Sequence, residues 1–467
     1  MAVYNLTRAQ LDALLASDGM VAASRAEALT ALDAAGVFPI PLTSTVSVDE
    51  AVSPSTSAAQ VVVATGTTEA FNAANPANLA VIATSGAGVT LTTTGNAIIA
   101  VTSAGNDYIR LNGAGADTLF SGEGGDTIVG GSGNDVINSD GGNDLVFING
   151  NGAVYLNTGA GDDVVVATGN GGDTILGGSG DDKLYHLGTG ASLVDGGTGD
   201  DVIYGTGGDT IMGGTGDDYI VINGAGTNLL NISGGTGNDN IYHQGGGTGL
   251  IDSGAGDDVV YGSGTDTIRS GTGDDYIVGS GSGGLSIDAG AGADTIFGGD
   301  GNDTIYSGDG NDIVVGGLGS DLIFGGGGDT LYGGDGADGL YVHGAGGATM
   351  YGGDGADVLA ANYSSGSNYF DAGDGNDAIY GGSGNDSIVA GAGDDTIVFV
   401  SGAGGSDTVN GGGGNDVLYA VGHTLGDTTV INNGDGSFSV NFLDGSSILA
   451  RELEYLQLEA GGVVRLS

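Results

Sequence analysis

At intervals of about nine residues this chain returns to one short unit: Gly, any residue, Asp, any residue, then Ile, Leu or Val. Gly124-Gly-Asp126-Thr-Ile128 is followed by Gly133-Asn-Asp135-Val-Ile137 and then by Gly142-Asn-Asp144-Leu-Val146. The unit occurs 27 times between Gly105 and Leu418, and its three fixed positions hold in every copy. Repetition of that density settles the architecture before any single element is considered. Glycine supplies the positive-φ backbone of a tight turn. The residues around the aliphatic position make a short strand with one apolar face. One such strand buries nothing alone, so successive turns must stack and share an apolar interior. Two turns make one flattened coil, which sets Asp117 over Asp135, Asp303 over Asp321 and Asp377 over Asp395. The predicted fold is all-β, a parallel β-roll of roughly 17 coils and a rod of about 80 Å at strand spacing.

Carboxylates stacked about 4.8 Å apart repel unless a cation lies between them. The chain carries 58 Asp plus Glu against 7 Lys plus Arg, a net charge of −51, and only Arg110, Lys183 and Arg269 fall inside the repeats. A hard divalent ion, ringed by carboxylates and by carbonyls of the Gly-rich turn, answers the repulsion. Many oxygen ligands on a pliant loop suit calcium better than magnesium. Sixteen pairs of motif Asp lie 17 to 19 residues apart, so one divalent ion per pair would cancel 32 of the 51 charges. The expected load is roughly 16–25 Ca2+. So few cations exclude an electrostatic grip on nucleic acid or on an anionic membrane surface. The apolar runs, such as Leu79 to Ala83, are too short to span a bilayer. A hydrophobic content of 39% and a mean hydropathy of +0.11 fit a chain that buries apolar surface despite its charge. With no Cys there are no disulfides and no thiolate metal sites.

The stretches GGSGNDVIN (Gly130 to Asn138), GGDGNDTIY (Gly298 to Tyr306) and GGSGNDSIV (Gly381 to Val389) carry a family resemblance. They resemble the nonapeptide G-G-x-G-x-D-x-U-x of RTX, or repeats-in-toxin, proteins. The likeness covers roughly two thirds of the chain. It implies calcium between successive turns, ligated by the motif Asp and by turn carbonyls. Carried over residue by residue, the ligands are Asp107, Asp117, Asp126, Asp135, Asp144, Asp163, Asp173, Asp182, Asp201, Asp209, Asp218, Asp239, Asp258 and Asp266. They continue with Asp275, Asp294, Asp303, Asp312, Asp321, Asp329, Asp338, Asp357, Asp377, Asp386, Asp395, Asp407 and Asp416. The alternative for any one of them is an Asp that only closes its own turn. The resemblance further implies type I secretion machinery as a partner and an extracellular location, on the cell surface or in a secreted matrix. That accounts for an amino terminus with no basic stretch and apolar run of a cleavable leader.

Several turns lack the Asp. Ala153 and Ala191 stand where it is expected, and similar gaps fall near Asn228, Gly249, Gly284, Ala348 and Ser367. Some recur after two coils, which puts them on one side of the roll. Neutral decay of the repeat and a modified edge facing a neighbouring subunit are the competing readings. His186, His243 and His343 each precede a gap and read as exposed loop residues, since nothing local makes them converge on a transition metal.

Four segments follow from the pattern. Residues 1–39 form a helical module, with capping boxes at Thr7-x-x-Gln10 and Ser24-x-x-Glu27. It serves either as a cap or as an anchoring element. Residues 40–104 are Thr, Ser and Val-rich β-structure, a metal-free start of the same solenoid. Residues 105–420 are the β-roll. Residues 421–467 read as a C-terminal β cap, and the resemblance places a type I secretion signal there.

No catalytic constellation is present: there is no H-E-x-x-H, no G-x-S-x-G and no thiol. The expectation is no enzyme and no catalytic residue. The leading function is a secreted, calcium-dependent structural protein that self-assembles as a homo-oligomeric sheet or filament, in an S-layer or extracellular matrix. A calcium-dependent surface adhesin that binds cell-surface polysaccharide is the alternative, and a fragment of a type I-secreted enzyme a remote one. The 18 Tyr and absent Trp favour a sheet surface over a sugar platform.

Overall fold

The aliphatic residue of each unit lies in a short strand, and the glycines before it turn the chain into that strand. A computed structural model describes residues 60–64, 68–73, 79–83, 88–95, 98–102, 104–224, 230–400, 405–459 and 461–466. The helices expected within 1–39 lie outside the described residues. The chain divides into two units, Met1–Asn240 and Ile241–Ser467.

Within each unit, strands alternate between two parallel sheets, called A and B. In the first unit, sheet A pairs Tyr108–Leu111, Thr127–Val129, Leu145–Ile148, Val164–Ala167, Lys183–His186, Val202–Thr206 and Tyr219–Asn223 in that order. Sheet B pairs Thr118–Phe120, Val136–Asn138, Tyr155–Ala160, Thr174–Ser179, Leu193–Thr198, Thr210–Thr215 and Leu230–Thr236. Both sheets extend toward the amino end without the motif. Gln60–Ala64, Leu79–Ala83 and Ile98–Val101 continue sheet B, while Thr68–Ala73 and Thr90–Gly95 continue sheet A. The second unit repeats the plan, with Val259–Ser263 to Ser406–Gly413 in sheet A and Gly249–Ala255 to Val417–Val421 in sheet B. Each unit is a parallel β-solenoid, with about 17 turns between them and no helix among the described residues.

The register stacks the aliphatic position on itself. Ile128, Val146, Val165, Leu184 and Ile203 pair in sequence across sheet A, and all are 0% exposed. In the second unit Ile277, Ile296, Val314 and Leu331 do the same. Each buried aliphatic side chain contributes about 1.5–3 kcal/mol, and none could be buried without its neighbours above and below. One turn shows why glycine is required. Gly197 and Gly199 have φ of 110° and 124°, and a Cβ on Gly199 would overlap the Gly180 carbonyl of the adjacent coil.

Beyond Val421 the pairing changes hand. Thr428–Asn432, Ser437–Phe442 and Ser447–Arg451 form an antiparallel meander. Tyr455–Leu458 then returns parallel to Val417–Val421 and pairs antiparallel with Val463–Arg465.

Candidate metal centre

Each motif Asp directly precedes a strand, except Asp407 within Ser406–Gly413, and its side chain turns inward. All 27 are buried, the most accessible being Asp407 at 6%. Along the ladder of motif Asp, carboxylate oxygen Oδ1 accepts the backbone N–H of the residue in the same register one coil earlier. In the first unit this ladder links Asp107, Asp126, Asp144, Asp163, Asp182, Asp201 and Asp218 at 2.7–2.9 Å. In the second it links Asp303, Asp321, Asp338, Asp357, Asp377, Asp395 and Asp416 at 2.8–3.0 Å.

The other oxygen is the informative one. In 19 motif Asp, from Asp107 to Asp416, Oδ2 is buried and has no hydrogen-bond partner. Such an oxygen normally costs about 1–3 kcal/mol, and more if charged, so a stack of them implies an absent cation or proton. Burial pushes the carboxyls upward: Asp126 to about 7, Asp144 to about 8 and Asp357 to about 7. Desolvation is the largest cause, and the charge of neighbouring rungs adds to it. Arg110, Lys183 and Arg269 all face solvent, so they do not neutralise the ladder.

In several coils where the residue five before the Asp is Gly, a second oxygen faces Oδ2. A Cβ on Gly333 would lie 2.5 Å from Oδ2 of Asp338 and 2.6 Å from the Gly352 carbonyl oxygen of the adjacent coil. Gly196 and Gly213 in the first unit, and Gly298, Gly316 and Gly352 in the second, repeat this cradle. Among the described residues no group of three or more His, Cys, Asp or Glu side chains is placed to hold a metal ion. An ion here would therefore take one or two carboxylates and otherwise backbone carbonyls, which is the donor set of a hard cation with flexible geometry. The residues present fit calcium.

Other coils close differently. Thr102, Ser121, Ser139 and Thr158 replace that glycine in four coils of the first unit. Their hydroxyls donate to the carbonyls of Ser121, Ser139, Thr158 and Gly177 at 2.6–3.2 Å. Asp209, Asp266 and Asp329 each follow the preceding motif Asp by eight residues. The shorter turn brings the backbone N–H of Thr206, Ser263 and Gly326 onto Oδ2 at 2.6–2.8 Å. A side chain adds a second donor: His186 to Asp209 at 2.8 Å, His243 to Asp266 at 2.7 Å and Ser307 to Asp329 at 2.8 Å. Both oxygens of these three Asp are thus taken by the protein, and they close turns.

Two of the three histidines differ from expectation, while His343 is exposed as expected. His186 is 0% and His243 3% exposed, because the adjacent coil brings an acceptor against each ring from 23 residues away. His343 instead stacks on Tyr363 with ring centroids 5.4 Å apart. The gap registers also resolve. In the first unit Val154 and Ser192 occupy Asp positions on the sheet B side, their N–H groups donating to Asp173 and Asp209 at 2.9 Å. In the second unit Gly249 and Leu285 do so on the B side, and Ala348 and Asn368 on the A side.

Ser192, His186 and Asp209 have the connectivity of nucleophile, base and orienting acid, with Ser192 Oγ 3.1 Å from His186 Nε2. They are 5%, 0% and 0% exposed, and Ser192 Oγ already accepts the Asp173 N–H at 2.9 Å. No substrate carbonyl could reach that oxygen, so the three form a closed hydrogen-bond loop.

These observations define a class: a parallel β-solenoid whose inner turns stack buried carboxylates against carbonyls and leave a cation to complete them. The family model of the RTX calcium-binding nonapeptide repeat matches residues 111–146, 167–185, 205–221, 243–277, 262–282, 288–323, 315–344, 342–363, 362–397 and 399–420. Those matches cover more than half of the chain, which belongs to that family. They break at 147–166, 186–204 and 222–242, where Val154, Ser192 and Leu230 stand in place of Asp. No individual curated protein matches it significantly.

Proposed function

We propose that the protein is a secreted, non-catalytic structural protein whose solenoid folds on calcium and which self-assembles as a sheet or filament, in an S-layer or extracellular matrix. The observation that carries the calcium part is the file of buried, unpartnered Oδ2 atoms. The ligands are the motif Asp of that file, best formed at Asp201, Asp218, Asp303, Asp321, Asp338 and Asp357, where a glycine cradle brings a carbonyl to the same place. Bound calcium supplies the positive charge that lets these carboxylates stack. With free calcium low inside a cell, the charge of −51 keeps the chain extended for type I export. What supports self-assembly is that the described residues are almost wholly solenoid, a fold whose repeated strands are suited to pairing along an edge.

The adhesin reading draws on exposed aromatic files. Tyr306, Phe324 and Tyr341 stack at 4.8 and 5.4 Å, and Tyr332 and Tyr351 at 4.7 Å. Rings stacked on one another spend their faces internally and offer solvent mainly their edges, which weakens a sugar platform. Negative-stain microscopy of the purified chain in calcium and in chelator separates the readings. Sheets or filaments only in calcium support assembly. Dispersed single chains in calcium remove it and leave the adhesin. A fold unchanged in chelator removes the calcium requirement.

A further inference from the structure

The last coil of the second unit carries a unit of the repeat that the G-x-D-x-U pattern does not find. Asp395 donates its N–H to Asp416 Oδ1 at 3.0 Å, and Asp416 in turn donates to Glu454 Oε2 at 2.8 Å. Tyr455 donates its N–H to the Asp416 carbonyl at 3.1 Å, as Val417 does to that of Asp395 at 2.9 Å. Glu454 therefore stands in the next Asp register, although 38 residues separate it from Asp416. Leu456, two residues on, is 0% exposed and pairs with Leu418, as the aliphatic position requires. Glu452, two residues before, has φ of 50° and takes the left-handed turn that glycine makes elsewhere. Glu454-Tyr-Leu456 is thus one more Asp-x-aliphatic segment with Glu for Asp, reached from Glu452, the register partner of Gly411, by a turn three residues shorter than that from Gly411 to Asp416.

The cradle is also complete. A Cβ on Gly411 would lie 2.7 Å from Asp416 Oδ2 and would overlap the Glu452 carbonyl oxygen, the same pair of oxygens that meets at Gly333. Asp416 is 0% exposed and its Oδ2 has no hydrogen-bond partner. The sheet A side ends otherwise, since Asp407 pairs with apolar Ile448. We propose that Asp416, the Glu452 carbonyl and Glu454 form a terminal divalent-cation site, so that docking of the C-terminal strands on the solenoid is itself calcium-dependent. Glutamate suits this place because its extra methylene lets it reach the ladder from a strand entering by a long excursion rather than a nine-residue turn.

This inference rests on the calcium reading above, and the test separates the two. Calcium bound per full-length chain is counted by native mass spectrometry for wild type, Glu454→Gln and Glu459→Gln, alongside hydrogen exchange of Tyr455–Leu458. Gln keeps an oxygen to accept the Asp416 N–H but not the charge. The expected result is one ion fewer in Glu454→Gln, faster exchange at Tyr455–Leu458 in calcium, and no change in Glu459→Gln. A wild type that binds no calcium overturns the calcium reading. A wild type that binds calcium, with Glu454→Gln matching it in ion count and exchange, overturns the terminal site alone.

Discussion

Replacing Asp338 by Asn should change stability in opposite directions with and without calcium. Asp338 is 2% exposed, Oδ1 accepts the Asp321 N–H at 2.8 Å, and Oδ2 is unpartnered. Its carboxyl is pushed up to about 6 from 3.8, mainly by burial and then by the neighbouring Asp321 charge. A group with a raised folded pKa contributes stability that is full below the unfolded value and lost as pH rises through the folded one. At neutral pH the calcium-free fold has lost it. A rise of about two units is worth about 3 kcal/mol, which screening at the rim of the turn trims to roughly 1–2 kcal/mol. Asn keeps the Oδ1 acceptor, removes the charge and aims an amide donor toward the Gly352 carbonyl. The calcium-free fold should therefore gain roughly 1–2 kcal/mol. In calcium the variant loses an ion, and with ligand at a hundred times its Kd that costs about 2.7 kcal/mol. The assay is hydrogen exchange of Gly339–Gly344 and Ile313–Leu318, in calcium and in chelator with an excluded osmolyte to populate the fold. Destabilisation of similar size in both conditions would refute the reasoning, because it would make Asp338 an ordinary buried hydrogen-bonding group.

Further outcomes follow from the same geometry. Lowering the pH from about 8 to about 5 without calcium should increase β-structure by circular dichroism, since protons bind carboxyls such as Asp144 and Asp126 that burial holds at about 8 and about 7; over that range apparent calcium affinity should fall. Gly333→Ser fills the cradle at Asp338, and calorimetric titration should lose about one calcium per chain. His186→Phe leaves Oδ2 of Asp209 with only the N–H and hydroxyl of Thr206 as donors; thermal melts should show a loss of about 1–3 kcal/mol, with the calcium count unchanged. Ile296→Ala empties a fully buried position in the second unit, and urea unfolding in calcium should show a loss of about 2–5 kcal/mol.

The fold was legible because its determinants are local and repeated. Gly199 and Ile203 lie within one nine-residue unit, and whatever holds for that unit holds for its neighbours. What escaped the sequence depends on partners in the adjacent coil. His186 meets Asp209 and His243 meets Asp266 across 23 residues, a spacing that no nonapeptide template samples. One clue was present: Asp209, Asp266 and Asp329 sit eight residues after the preceding Asp, not nine. One residue fewer tightens the turn until its own N–H reaches Oδ2. Glu454 was hidden because it stands for Asp with no Gly two residues before it, and it follows a 38-residue interval. The gap positions were misplaced by a residue at Ala153 and Ala191, because the register residues are Val154 and Ser192.

That some Asp are lost without loss of the coil follows from how each rung is built. The backbone needs only an acceptor for one N–H per coil, and Oδ1 supplies it. A carboxylate that does no more than this still leaves Oδ2 buried. Several solutions are present in this chain. Glycine coils keep a cradle in which a cation fits, and at Asp209 and Asp266 a histidine and a backbone N–H take the oxygen directly. At Ser192 and Asn368 the carboxylate itself is gone. Ser192 Oγ accepts the Asp173 N–H at 2.9 Å, and Asn368 accepts from Ala348 at 3.1 Å while donating to Asp386 at 3.0 Å. Each neutral or internally paired rung removes a dependence on the cation while the aliphatic stack runs through unchanged, with Val194, Ile211 and Phe370 all 0% exposed. On the calcium reading proposed above, dependence on the ion would be set rung by rung, and single substitutions at the turn would shift a segment between metal-required and self-sufficient. On that ground Asp135, whose Oδ2 accepts the Gly131 N–H at 3.1 Å, falls between the two kinds.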